Sequence, residues 1–74
     1  MNKYKLLRVT ADLTQDELAN LLEVSRKTVI LWESGKVDPS LSHIRRMCLL
    51  YNVSADYLLD IKTEGIDSAK KRSS

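Results

Sequence analysis

Along residues 3–61 the apolar positions recur at helical spacing, and no useful length of alternating apolar and polar residues suggests a strand. In KYKLLRVT, residues 3–10, Tyr4, Leu6 and Leu7, with Val9 at the edge, predict a short helix with a mixed face. Asp12 follows, and aspartate tolerates the left-handed backbone that ends helices, though less easily than glycine. In LTQDELANLLEVS, Leu18, Ala19 and Leu22 share one face at i, i+1 and i+4, which predicts a helix over about 15–22. Thr14 and Glu17 have the T-x-x-E spacing of a capping box, in which each side chain satisfies a backbone N–H of the other residue. Asp16 and Glu17 also suit the positive end of the helix dipole. Only Leu22 to Val24 separate this helix from the next cap, Ser25. Residues 26–34, RKTVILWES, then predict a helix closed by Gly35. Lys36 to Pro39 form a loop, and Ser40 caps a fourth helix at about 41–51. Its inner face is read as Leu41, Ile44, Met47, Cys48 and Tyr51, with Asn52 as its left-handed end. Ser54 caps a last short helix, ADYLLDI, in which Leu58 and Tyr57 close the core. Residues 62–74 are polar with little to bury and are read as a frayed or disordered tail. The organisation expected is an all-α domain over 1–61, a compact bundle of about five short helices, followed by a tail over 62–74.

Composition narrows the classes. A chain of 74 residues holds one small domain whose core is modest, so oligomerisation would help its stability. With 43% apolar and 30% charged residues it is ordinary globular material, which argues against disorder of the whole chain. The formal charge of +2 points to nucleic acid only if the positive groups gather on one face. Cys48 is the lone cysteine, so no disulfide framework exists within the chain, as suits a reducing cytoplasm. The start, MNKYKLLRVTADL, lacks the apolar run of a signal peptide, and no stretch is long enough to span a membrane. A soluble cytoplasmic protein is expected. His43 has no second ligand at metal spacing and reads as a surface histidine, while Cys48 reads as a small core residue. No nucleophile–base–acid constellation and no Gly-rich phosphate loop is visible, so neither enzymatic activity nor a cofactor or metal is expected.

Two short capped helices joined by a tight turn, the second with a basic start, describe a helix-turn-helix. Its second helix normally enters the DNA major groove N-terminal end first. The residues this offers to DNA are Ser25, Arg26, Lys27, Thr28 and Leu31, with Val29 and Trp32 facing inward. Positive charge at a helix start opposes the dipole, so Arg26 and Lys27 are locally unfavourable and call for a functional reason.

The stretches LTQDELANLLEVSRKTV, WESGKVDPSL and NVSADYLL together resemble the phage repressor/Cro-type (XRE-like) helix-turn-helix family, over roughly residues 5–60. The resemblance implies a lambda-repressor-like bundle of about five helices and a DNA-binding regulator, usually a dimer on a two-fold symmetric operator. It implies that Gln15 touches the DNA backbone or braces the recognition helix, that Arg26 and Lys27 read bases, and that Leu31 and the edge of Ile30 also face the groove. It further implies that Glu33 pairs with Arg8. The chain departs from the family pattern at Glu23, Asp12 and Asn52, where glycine is usual, and at Ile30 and Leu31, where polar residues are usual. A non-glycine residue in the left-handed region is strained by roughly 1 kcal/mol or more.

The expected function is a sequence-specific transcriptional regulator, with repression by occluding a promoter. Gln15, Ser34 and Lys36 would contact phosphate, although Lys36 reads equally as a solvated loop lysine. Thr28 could bond within its own helix or reach a phosphate or base. Leu31 is weighed between a thymine-methyl contact and partial core packing or a partner surface, and Ile30 favours packing over base contact. Dimer contacts are expected from Tyr57, Leu58, Leu59 and Ile61 of the last helix, or dimerisation only on DNA, and Lys70, Lys71 and Arg72 would add non-specific attraction. Two rivals remain: an antitoxin of similar fold that binds DNA and a toxin protein, with Ile30, Leu31, Leu49 and Leu50 as a protein surface, and an interaction adaptor that has lost DNA binding.

Overall fold

Capping chemistry sets where every helix begins. The computed structural model describes residues 2–60, the side chain of Asp60 excepted, as α1 (Lys3–Thr10), α2 (Gln15–Leu22), α3 (Arg26–Ser34), α4 (Leu41–Tyr51) and α5 (Ala55–Asp60), with no strand among the described residues. Asn2 caps α1, its Oδ1 accepting from the backbone N–H groups of Tyr4 and Lys5. At α2 the capping box is complete: Glu17 N–H donates to Thr14 Oγ1 at 3.0 Å, and Thr14 N–H donates to Glu17 Oε1 at 2.8 Å. Ser25, Ser40 and Ser54 each accept a backbone N–H three residues on. Each such bond satisfies one of the donors that a helix start leaves without an intrahelical partner.

Four ends share one stop. Asp12, Glu23, Gly35 and Asn52 all have left-handed backbone, with φ of 66°, 60°, 81° and 57°. In each case the next residue's N–H reaches back five residues: Leu13 to Arg8, Val24 to Ala19, Lys36 to Leu31 and Val53 to Cys48, at 2.9–3.2 Å. Repeating this stop keeps the connections short and turns the chain sharply at each end. Only one of the four positions is glycine. Glutamate lacks the local hydrogen bonding that eases aspartate and asparagine into this region, so strain concentrates at Glu23. The Glu23 side chain pairs with Arg46 only at 3.5 Å and in solvent, which contributes little. Glu23→Gly is therefore expected to raise stability by about 0.5–1 kcal/mol, read as a higher urea midpoint at unchanged m-value.

The core is built from one or two positions per turn of each helix. Tyr4, Leu18, Ala19, Leu22, Val29, Trp32, Ile44, Met47 and Leu58 are buried, with Leu7, Leu13, Val24, Cys48, Tyr51 and Val53 packed around them. α2 lies against α3, α1 against α3, and α4 against α5 and α2. Val29 and Trp32, three residues apart, point α3 inward along one edge and leave its first two residues, Arg26 and Lys27, outside. Asn2 ties the chain start to this helix, its Nδ2 donating to Trp32 O at 3.0 Å.

Two expected core positions are not buried. Leu41 is 63% exposed: it is the first residue of α4, and the buried stripe begins one turn later at Ile44. Tyr57 is 55% exposed because its neighbour Leu58 takes the inward direction of the short α5. Tyr57 instead borders an apolar groove of about 360 Å³ with Leu7, Thr10, Ala11, Leu50, Tyr51 and Val53. On α1, Leu6 and Val9 face solvent, and the buried positions are Tyr4 and Arg8. Ile61 and the tail expected at 62–74, with Lys70, Lys71 and Arg72, lie outside the described residues.

Candidate nucleic-acid interface

An ion pair in the interior, between α1 and α3, underlies the candidate interface. Arg8 on α1 and Glu33 on α3 have side chains only 10% and 5% exposed. Arg8 donates to Glu33 through Nε at 2.7 Å and Nη2 at 3.1 Å, and through Nη1 to Leu13 O at 2.7 Å. The guanidinium thus has three directed bonds, and the carboxylate has a matching fork. The hydrogen bonds that Arg8 donates to Glu33 hold its pKa above the ordinary value, against the opposing effect of burial.

The network continues outward to the start of α3. Gln15, the first residue of α2, donates through Nε2 to Glu33 Oε1 at 3.3 Å and accepts through Oε1 from Arg26 Nε at 3.4 Å. A carboxylate only accepts and a guanidinium only donates, so this amide orientation is the one that satisfies both neighbours. A continuous path therefore runs from Leu13 O through Arg8, Glu33 and Gln15 to Arg26, joining α1, α2 and α3. Gln15 thus braces the start of α3, and its second amide hydrogen has no acceptor among the described residues. Arg8, Thr14, Gln15, Asp16 and Arg26 line an open hollow of about 490 Å³ at this junction.

The outer face of α3 carries the other expected contacts. Arg26 and Lys27 are exposed, and no acidic residue lies in the first turn of α3. Ser25 Oγ and Thr28 Oγ1 lie 3.0 Å apart, so Thr28 is engaged with the cap of its own helix. Leu31 is half-buried and Ile30 is exposed. Ser34 Oγ donates to Leu31 O at 3.0 Å, turning its hydroxyl hydrogen back onto the helix, while Lys36 is exposed in the following loop.

Several contributors escaped the sequence reading. Arg46 reaches from α4 to cap the end of α2, donating through Nη1 to Leu22 O at 2.9 Å. His43 is half-buried against Trp32, with ring centroids 5.2 Å apart, and its Nδ1 is 2.9 Å from Ser40 Oγ. Asp16 Oδ1 lies 3.9 Å from Arg26 Nε. The capping role of Asn2 was signalled by its place just before the first apolar positions; the other three depend on contacts between helices.

Tyr51, behind the ion pair, sets the response to alkali. Its buried hydroxyl makes no hydrogen bond to a described residue. Burial above all, then the Glu33 charge, pushes its pKa up to about 12 from 10.0, with Arg8 acting in the opposite direction. The unfolded chain ionises this phenol first. The corresponding stability is thus fully present below about pH 10 and lost as pH rises towards about 12. Tyr51→Phe is expected to remove most of that loss in urea unfolding followed across this range, leaving the part due to Tyr4, whose pKa is also raised by burial. At neutral pH the same substitution should cost almost nothing, because the hydroxyl has no partner to lose.

Similarity to known proteins agrees with this architecture. The helix-turn-helix family model matches residues 5–58. An uncharacterised helix-turn-helix-type transcriptional regulator of Methanocaldococcus jannaschii is 42% identical over 55 residues, 74% of this chain and 83% of that protein. The transcriptional activator BcrR of Enterococcus faecalis is 39% identical over 57 residues, but these are only 28% of its length. The cryptic phage CTXphi transcriptional repressor RstR of Vibrio cholerae is 31% identical over 70 residues, 95% of this chain and 63% of the repressor. Among the described residues no helix is long and apolar enough to cross a membrane. The chain belongs to the helix-turn-helix family and is a DNA-binding transcriptional regulator.

Proposed function

We propose that the chain is a non-enzymatic repressor that acts in the cytoplasm, binding a two-fold symmetric operator as a dimer and reading it with the N-terminal half of α3. The bonds that fix the Nε edge of Arg26 through Gln15 and the Arg8–Glu33 pair carry this reading. With that edge held, the Nη end can meet guanine O6 and N7, a bidentate contact. Lys27 is the second base reader, and Leu31 offers an apolar contact for a thymine methyl. Lys36, the remaining amide hydrogen of Gln15, Ser25 and Thr28 at the helix start, and Ser34 after its hydroxyl rotates, contact phosphates and set the register. Bound over a promoter, the protein excludes polymerase.

Dimerisation follows from the size of the interface. One helix start covers few base pairs, so a monomer binds weakly, whereas a dimer places two recognition helices about 34 Å apart, one turn of DNA. Exposed apolar residues on α4 and α5 offer the contact: Leu49 is 83% exposed, and Leu50, Tyr57 and Leu59 lie on the same pair of helices. Sedimentation with and without a duplex carrying the preferred site should show two chains per duplex. Binding to that duplex should weaken with salt, with log K falling against log salt at a slope of about −1.8 or steeper if each of two Lys36 groups neutralises one phosphate. A salt-independent affinity would contradict the phosphate contacts.

A further inference from the structure

Among the residues lining the hollow beside α3, Asp16 contributes least to holding the fold. Arg8 makes the interior ion pair, Thr14 closes the capping box and Gln15 braces Arg26. Asp16 stands at the second position of α2, but the box is already complete with Glu17. Its side chain is 73% exposed and lies 3.9 Å from the Nε of Arg26, itself 60% exposed. An exposed pair at this distance adds little stability, and Glu17 already supplies a negative charge to the helix start. On a surface that meets a polyanion, a carboxylate is moreover repelled by every phosphate that approaches. The position therefore calls for a reason other than folding.

We propose that Asp16 is a specificity-determining residue, which suppresses binding to non-operator DNA by competing with phosphate for Arg26. The inference rests on the reading of α3 as the base-reading helix. Non-specific binding is almost wholly phosphate attraction, and an arginine already facing a carboxylate is a poorer phosphate ligand. A guanine makes no such demand. It takes the Nη end of Arg26, while Asp16 and Gln15 keep the Nε edge, so the operator complex retains the pair that non-specific DNA has to break. The acidic group thereby lowers affinity for the wrong sites more than for the right one, and specificity is a difference of this kind.

The test uses the full chain and two labelled duplexes of equal length, one carrying the site that wild type selects from random DNA and one with that site scrambled. Asp16→Asn is expected to tighten binding to the scrambled duplex about threefold. Its salt slope there should become steeper by about 0.9 per protomer, as Arg26 becomes available to phosphate. Operator affinity should tighten by less, because that complex keeps the Asp16–Arg26 pair, so the ratio of the two affinities falls, and Asp16→Glu should restore it. An unchanged ratio in Asp16→Asn would overturn the proposal, whether both duplexes tighten alike or neither responds. So would a ratio that falls only because operator binding weakens, since Asp16 would then merely position Arg26. A wild-type protein that selects no site would overturn the base-reading assignment of α3 and this inference with it.

Discussion

Glu33→Ala should lower folding stability by about 3–5 kcal/mol, because it leaves the buried guanidinium of Arg8 without its counter-charge. The substitution also removes the acceptor of Gln15 Nε2, so the brace on Arg26 loses its inner anchor. A domain of this length is stabilised by only roughly 4–11 kcal/mol in total, so a large share of the molecules would unfold near physiological temperature. Urea unfolding of the wild type and the variant measures the difference directly; a loss under about 1 kcal/mol would mean that the pair behaves as a solvated surface contact. Replacing both partners by apolar residues, as in Arg8→Met with Glu33→Leu, should recover much of the lost stability, since neither charge is then buried alone. That double variant should still bind DNA poorly, because Gln15 would have nothing to fix it. Stability and DNA binding separate in this pair of variants, and the separation tests whether the ion pair acts through Gln15.

Arg26→Ala should leave the fold intact and weaken operator binding by about 1–3 kcal/mol per half-site, roughly 5- to 160-fold, with discrimination lost at a single base pair of each half-site. The Arg26 side chain is 60% exposed and takes no part in the core, so a change in unfolding midpoint is not expected. Lys36→Ala provides the contrast. As a phosphate contact it should weaken binding to all sequences alike and reduce the salt slope by about one per protomer. Binding curves for both variants against the operator and each single-base change in it distinguish base reading from register setting. If Arg26→Ala lowered affinity equally for every sequence, Arg26 would be a phosphate contact.

Helix boundaries were legible because their chemistry is local. Thr14 with Glu17, and Ser25, Ser40 and Ser54, announce helix starts within four residues of sequence, and the structure places each cap there. Asp12, Glu23, Gly35 and Asn52 end helices through one backbone conformation that depends on few neighbours. The pairing of Glu33 with Arg8 was an implication of the family resemblance, and periodicity alone gave no sign of it. Exposure of Leu41 and Tyr57 was hidden, since helical spacing shows which residues share a face but not where the facing helix stops. The double use of Gln15 and the approach of Asp16 to Arg26 were hidden for the same reason: both depend on how α2 and α3 cross. Ser34, expected at a phosphate, also donates within its own helix, a competition that serine offers in any helix and that spacing does not reveal.

Selection of bound duplexes from a random DNA library at near-physiological salt, with wild type run beside Arg26→Ala/Lys27→Ala, addresses the central claim most directly. Wild type should enrich a two-fold symmetric site with half-sites about one DNA turn apart and a G·C pair facing each Arg26, and the variant should lose that site. Equal, motif-free binding by both proteins would contradict the assignment of α3 as the base-reading helix.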